Sequence, residues 1–364
     1  MHTIQKRSLK VELKMNLSKT IRHFFSTIII GVEIDHKNCK IVAQFYKGNK
    51  KFQTQTKIFK TIPGELSAQA VRYIKKIRTK NPFTYIATQS SSIVQGAIST
   101  SNKEEFAKYG ININEVVSKS FYNNWSVYIA KDGIAETQKR FLKTGVDFIV
   151  SPFLVLYSLA KRIPQEDCRL YILFQRSNMT MIVKKQNEEV LFGGYYVLES
   201  EIDSELKIVK NTLSEDEDEI QKINIQDNIQ DELNEIEEVD VANEHSDNEL
   251  IEILKSENEE MGDEAKEESL EEASDEDLDD FSRVSMASKF IQSAINEFYN
   301  NEIYESEFIR EIVIFNPCDI QEETLKQIQN FTMLEVQITP CNVAEILAEL
   351  GFESYCFFEA KGEV

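Results

Sequence analysis

The sequence predicts a two-lobed α/β protein made of a duplicated β-β-β-α-β unit, with a long acidic segment interrupting the second copy. Three observations lead to that class. Apolar residues alternate at period two in short runs and then recur at helical spacing. The same order starts again after Cys168. The acidity is confined to one stretch instead of being spread over the chain.

That stretch explains the charge. The net charge is -21, yet Asp203 to Asp280 alone hold 32 Asp and Glu against 5 Lys, a net -27 that leaves the remainder at +6. With 41% hydrophobic residues, 22 Phe and 13 Tyr, that remainder can bury a sizeable core. Expected boundaries are a basic arm at 1–26, a first lobe at 27–162 with a small subdomain about 101–147, and a second lobe at 163–202 and 282–364. The acidic insertion at 203–281 lies between the two halves of the second lobe.

In chain order, residues 1–23 carry six Lys/Arg and one acid, Glu12. Such an arm has the charge to touch anionic lipid or nucleic acid; the simpler reading is a solvated leader, with Met15 as an alternative start. Strands follow at Thr27–Ile34, Lys40–Lys47 and Phe52–Phe59, the first two joined through Asp35-His36-Lys37-Asn38. Pro63-Gly64 breaks the meander, and Leu66, Ala70, Tyr73, Ile74 and Ile77 mark a helix that Pro82 ends. Tyr85–Thr88 is a buried strand and Ser91–Thr100 another, followed by a polar, partly helical stretch at Lys103–Tyr122. A strand at Trp125–Ile129, a helix from Asp132 to Thr144 with a Gly145 stop, a strand at Phe148–Val150 and an apolar helix from Pro152 complete the lobe.

The second round predicts strands at Leu170–Phe174, Met179–Lys184 and Glu189–Val197, with Gly193-Gly194 supplying a turn or bulge at a strand end. After the acidic segment come a helix at Ser282–Tyr299, a strand at Ile312–Phe315, a helix at Glu322–Asn330 and a strand at Leu334–Ile338. A helix at Asn342–Leu350 with a Gly351 stop closes the chain. High charge, low hydrophobicity and little aromatic content make 203–281 a disordered spacer, with Leu233, Ile236 and Val239 spaced for a short docking helix.

Cysteine usage, five residues far apart without metal-ligand spacing, fits a reduced intracellular protein with no metal site. The apolar run Phe24–Val32 is about nine residues, against roughly 20 for a spanning helix. No nucleophile elbow, phosphate-binding P-loop or zinc-protease helix is present, so no catalytic residue is expected.

The duplicated architecture resembles that of actin and FtsA. Within it, TYIATQSSSIVQGAIST (Thr84–Thr100) and WSVYIAKDGIAETQKRFLKTGVDFIVSPFLVLYSLAKR (Trp125–Arg162) resemble the PilM family, where a strand and helix lead into the helix closing the first lobe. The similarity covers roughly Thr27–Val197 and, more weakly, Ser282–Ala360. It implies a cytoplasmic scaffold held at the inner membrane by partners: a PilN-like membrane protein whose N-terminal peptide it binds, a PilO-like protein, and further copies in a ring or cage. One branch of the family encloses the flagellar motor; the related GspL fold continues into a spanning helix, whereas this chain stops at Val364. Nucleic acid is not an expected partner.

Relatives bind ATP through two Gly-containing hairpin turns and a Gly-rich adenosine loop, because phosphate must approach bare backbone N–H groups. Here the first turn puts Asp35 in the glycine slot and His36 in the following serine slot, with Lys37 next. The second reads Gln175-Arg176-Ser177-Asn178, and the adenosine loop Asn316-Pro317-Cys318. Asp35 would repel a phosphate. Arg176 is the residue best suited to a surviving phosphate contact; the plainer reading is a surface arginine on a hairpin turn. The expectation is a degenerate pocket without a cofactor, the alternative a divergent actin-like ATPase using ATP and magnesium. A third reading makes the acidic segment the functional part, recruiting a basic partner.

Overall fold

The computed structural model describes residues 25–121, 124–164, 167–186, 188–198 and 275–361. The basic arm up to residue 24 and the acidic insertion up to residue 274 lie outside them, as does Gly362.

The first lobe starts with β1 (Thr27–Asp35), β2 (Asn38–Lys47) and β3 (Lys50–Lys60), then α1 (Ala68–Lys80) and β4 (Thr84–Gln89). α1 begins where the Ser67 hydroxyl accepts from the Ala70 N–H, a side-chain cap. A small antiparallel sheet of β5 (Gln95–Ile98), β6 (Val116–Phe121) and β7 (Trp125–Ala130) follows, with a 3-10 helix at Lys103–Tyr109. Next come α2 (Lys131–Arg140), β8 (Phe148–Val150) and α3 (Pro152–Ala160), the last started by Ser151 and Pro152. The second lobe has β9 (Arg169–Phe174), β10 (Asn178–Lys184), β11 (Val190–Val197), α4 (Asp275–Asn300) and β12 (Glu311–Asn316). It ends with α5 (Glu322–Thr332), β13 (Glu335–Pro340) and α6 (Val343–Lys361).

The duplication is literal. The first sheet runs β3-β2-β1-β4-β8 and the second β11-β10-β9-β12-β13. In each, the first three strands are antiparallel and the last two join parallel to the opening strand. Parallel neighbours need a crossover, and the helices between strands supply it. α3 and α6 are buried together between the two sheets, with Phe153, Leu156, Ile346 and Leu347 packed among Tyr171, Leu173 and Val313.

Four local predictions need correcting. The stop at Gly351 is absent, and α6 continues to Lys361. A Cβ there would lie 2.8 Å from Ala87 and 2.9 Å from Ile29, so this glycine seats the helix on the sheet instead of ending it. Gly193-Gly194 falls inside β11, not at its end; a Cβ on Gly193 would meet Ala97 at 2.7 Å, so β5 crosses there in close contact. α2 ends at Arg140, ahead of the left-handed Gly145 at φ 70°. α4 starts at Asp275, so the last residues assigned to the acidic segment are helical. Among the described residues no helix is long and apolar enough to cross a membrane, and no cluster of three potential metal ligands occurs.

Candidate functional site

The two lobes meet where the β1–β2 and β9–β10 turns face each other. The first is a two-residue turn, His36-Lys37, with His36 left-handed at φ 49°. A non-glycine residue there costs roughly 1 kcal/mol. The cost is borne in a turn whose preceding residue, Asp35, bridges the lobes.

Asp35 is buried, and its carboxylate fills the second turn. Oδ2 accepts from the Arg176 backbone N–H at 2.8 Å, and Oδ1 from the Ser177 N–H at 2.9 Å and the Ser177 hydroxyl at 2.6 Å. The Cys318 thiol, on the loop after β12, donates to Oδ2 at 3.1 Å. Burial and the nearby Asp35 charge push that thiol well up, which keeps its proton in place to donate. Two adjacent backbone N–H groups on one anion form a nest of the kind that holds phosphate. Here the anion belongs to the chain. Asp35 was expected to repel a phosphate; it stands on the amides a phosphate would use.

A second bridge runs beside it. Gln175 Nε2 donates to Glu33 Oε1 at 3.1 Å, and Gln89 Nε2 donates to Gln175 Oε1 at 3.0 Å. Glu33 is pushed up to about 7, first by burial and then by Asp35; Lys40, Gln175 and the Ala344 amide at the start of α6 offset part of this. Its Oε2 is buried without a well-formed hydrogen bond among the described residues. Two small clefts flank the bridges. One, about 230 Å³, is lined by Glu33, Asp35, Lys40, Arg176 and Cys318; the other, about 210 Å³, by Thr88, Gln89, Arg140, Gln175 and Tyr195. Both fall short of the ~300 Å³ at which small-molecule pockets begin.

Arg176 is not a surface arginine on a hairpin turn. It is largely buried and pairs with Asp280 of α4 at 3.0 and 3.3 Å. Arg283, one turn on and 1% exposed, donates to the Arg176 and Leu198 carbonyls. The turn is therefore held from behind by α4. Asn316 is buried as a loop clasp: its Oδ1 accepts from the Cys318 and Ile320 N–H groups and its Nδ2 donates to the Ile320 carbonyl at 2.8 Å. Lys37 is exposed and His36 half-buried. Sequence reasoning placed Gln175 in the second turn without foreseeing its bridge to Glu33, and missed Asp280 and Arg283 as parts of the site. The signal for the last two was a charged pair three residues apart, just before the apolar stripe of α4.

The repeated sheet order, the helices between the sheets and the facing turns define an actin-like fold. Within that class the chain belongs to the family described as Domain of unknown function (DUF8341), which matches residues 170–356; a second such domain (DUF8569) matches residues 24–157. No curated protein matches the sequence. Similar solved structures include the PilM-PilN type IV pilus biogenesis complex, at 11% identity and TM-score 0.47, covering 87% of this chain and 89% of that one. The activator of the 2-hydroxyisocaproyl-CoA dehydratase from Clostridium difficile, with bound ADPNP, aligns at 12% identity and TM-score 0.40 over 93% and 98%. The ethanolamine utilization protein EutJ from Carboxydothermus hydrogenoformans aligns at 7% and 0.36 over 89% and 86%.

Proposed function

We propose that this chain is a non-catalytic, PilM-like scaffold, held at the cytoplasmic side of an inner membrane by a PilN-like protein whose N-terminal peptide it grips. A PilO-like protein and further copies of the chain complete a ring or cage in a type IV pilus-derived assembly, the flagellar motor cage being one such setting. The partner identities rest on the sequence resemblance in Thr84–Thr100 and Trp125–Arg162.

One observation carries the non-catalytic part. The Asp35 carboxylate takes the Arg176 and Ser177 amides, so the lobes are joined by an anion that cannot be hydrolysed or released. A nucleotide would have to displace a covalently tethered competitor of like charge from a cleft of about 230 Å³. Closure in this protein is a property of the chain, which suits a part whose task is to hold a fixed shape.

Calorimetry of the full chain with ATP and magnesium tests this. The expected result is no binding tighter than about 100 μM, or roughly 5.5 kcal/mol. Tighter binding would end the degenerate-pocket reading, and ATP turnover lost on replacing Asp35 would establish an ATPase and end the non-catalytic one. Co-purification from the native membrane tests the partner: a short membrane-anchored protein held through its N-terminal peptide is expected, and its absence counts against the assignment.

A further inference from the structure

The two lobes treat the same edge strand differently. β11 begins buried, with Val190, Leu191 and Phe192 at most 2% exposed. β5 crosses it at Gly193, and Phe290 of α4 stacks on Tyr196 at 4.9 Å. Its counterpart β3 is exposed along nearly all of its eleven residues, with Phe52 at 55% and Ile58 at 61%. Its only extensive contact is β2, and no described strand pairs with its outer side.

A strand in that position turns every second N–H and C=O outward, a template for another strand. Proteins blunt such edges with short length, proline or charge. β3 is long and has no proline. Its one irregularity, near Phe52, leaves Gln53 to Lys60 in regular register with Phe45 to Asn38. Its charge is one-signed: Lys50, Lys51, Lys57 and Lys60, with no acid. Lys51 reaches Glu345 and Glu349 of α6, while the other three make no ion pair among the described residues. Two copies pairing along this edge would bring only lysines together, and like charges across a strand pair are unfavourable. The same lysines favour a strand carrying carboxylates.

We propose that β3 is a docking rail on which an extended, acid-rich segment of a partner protein adds as a sixth strand of the first sheet, its backbone paired to β3 and its acids facing Lys50 and Lys57, which share one face of the sheet. This goes beyond the reading of the cleft and does not depend on it, because the measurement below reads the edge with the Asp35 bridge intact.

The test uses the full chain and a fluorescent peptide alternating Glu and Val over the length of β3, followed by anisotropy. Saturable binding is expected, weakened roughly tenfold or more by Lys50→Glu with Lys57→Glu, as reversing two attractive charge contacts on one face predicts. It should also be lost when alternate peptide nitrogens are methylated, an arm that leaves the protein unaltered. Binding indifferent to methylation would mean charge adhesion without strand addition and would overturn the proposal. So would no binding at all, binding that appears only after residues 203–274 are deleted, or self-association in sedimentation that the two Lys→Glu changes abolish.

Discussion

One β-β-β-α-β plan has been used twice with different finishing, and the finishing separates structure from function. In the second lobe β9 fills its middle with Tyr171, fully buried, and β11 is packed under α4 and β5. In the first lobe the position the same distance before the hairpin turn is Gly31, and α6 presses so close there that a Cβ would collide with the Ala344 carbonyl. The turns differ in the same complementary way. The first lobe offers an anion, Asp35, and the second the N–H groups that receive it. Identical topology thus yields a lobe that is braced and a lobe that reaches across and leaves an edge open.

The sharpest way to break that comparison is Gly31→Ala. The added methyl has no flexible neighbour to displace, only the backbone of α6, so the helix between the lobes must shift. A loss of about 4 to 5 kcal/mol is expected, at the upper end for single substitutions, read by urea denaturation of the full chain. A loss below about 1 kcal/mol would mean that α6 does not sit on β1 as described.

Next in size is Asp35→Ala. It strands two backbone donors, a hydroxyl and a thiol in a buried cleft, and about 3 to 4 kcal/mol is expected from orphaned buried donors. Asp35→Asn should lose less, since one oxygen can still accept. If Asp35→Ala proves neutral, the lobes are joined by the α3–α6 core alone and the bridge is incidental.

Glu33 gives a pH signature. Its folded value near 7 stands above the ordinary value near 4.5, so between these values the folded chain holds a proton that the unfolded chain has released. The group therefore favours folding below the unfolded value, and that contribution fades as pH rises through 7. Stability should fall by about 2 to 3 kcal/mol from pH 5 to pH 8 on this account. Glu33→Gln should flatten the slope. An unchanged profile in the variant would mean that a group other than Glu33 sets the slope.

Much of this frame was legible in the sequence. Alternation in Cys39, Ile41, Ala43 and Phe45 and helical spacing in Val284, Ala287 and Ile291 placed strands and helices with small boundary errors, because periodicity reports burial directly. The glycines misled. Gly351 and Gly193 have the composition of stops and turns, whereas their reason is a neighbour distant in sequence, Ala87 in one case and Ala97 in the other. Asp35 was legible as a break in a phosphate turn but not as a ligand. Its partners Arg176 and Ser177 lie more than a hundred residues away, and which amides it meets is fixed by how the lobes dock. Arg283 was passed over because a fully buried arginine makes sense only once the carbonyls it serves are in place.

The smallest effect bears on the open edge. Lys51 is the lysine of β3 that meets α6, at 3.8 Å from Glu345 and 3.5 Å from Glu349, with all three side chains between 30% and 39% exposed. Pairs this wet are worth little, so Lys51→Ala should cost below about 0.5 kcal/mol, and less still at high salt. The informative outcome is a larger loss. It would mean that β3 leans on α6 as β11 leans on α4, making the two edges alike and leaving the first lobe no free rail to offer. A small loss keeps the asymmetry: one edge strand used inside the molecule, its twin paired among the described strands with β2 alone and turned outward.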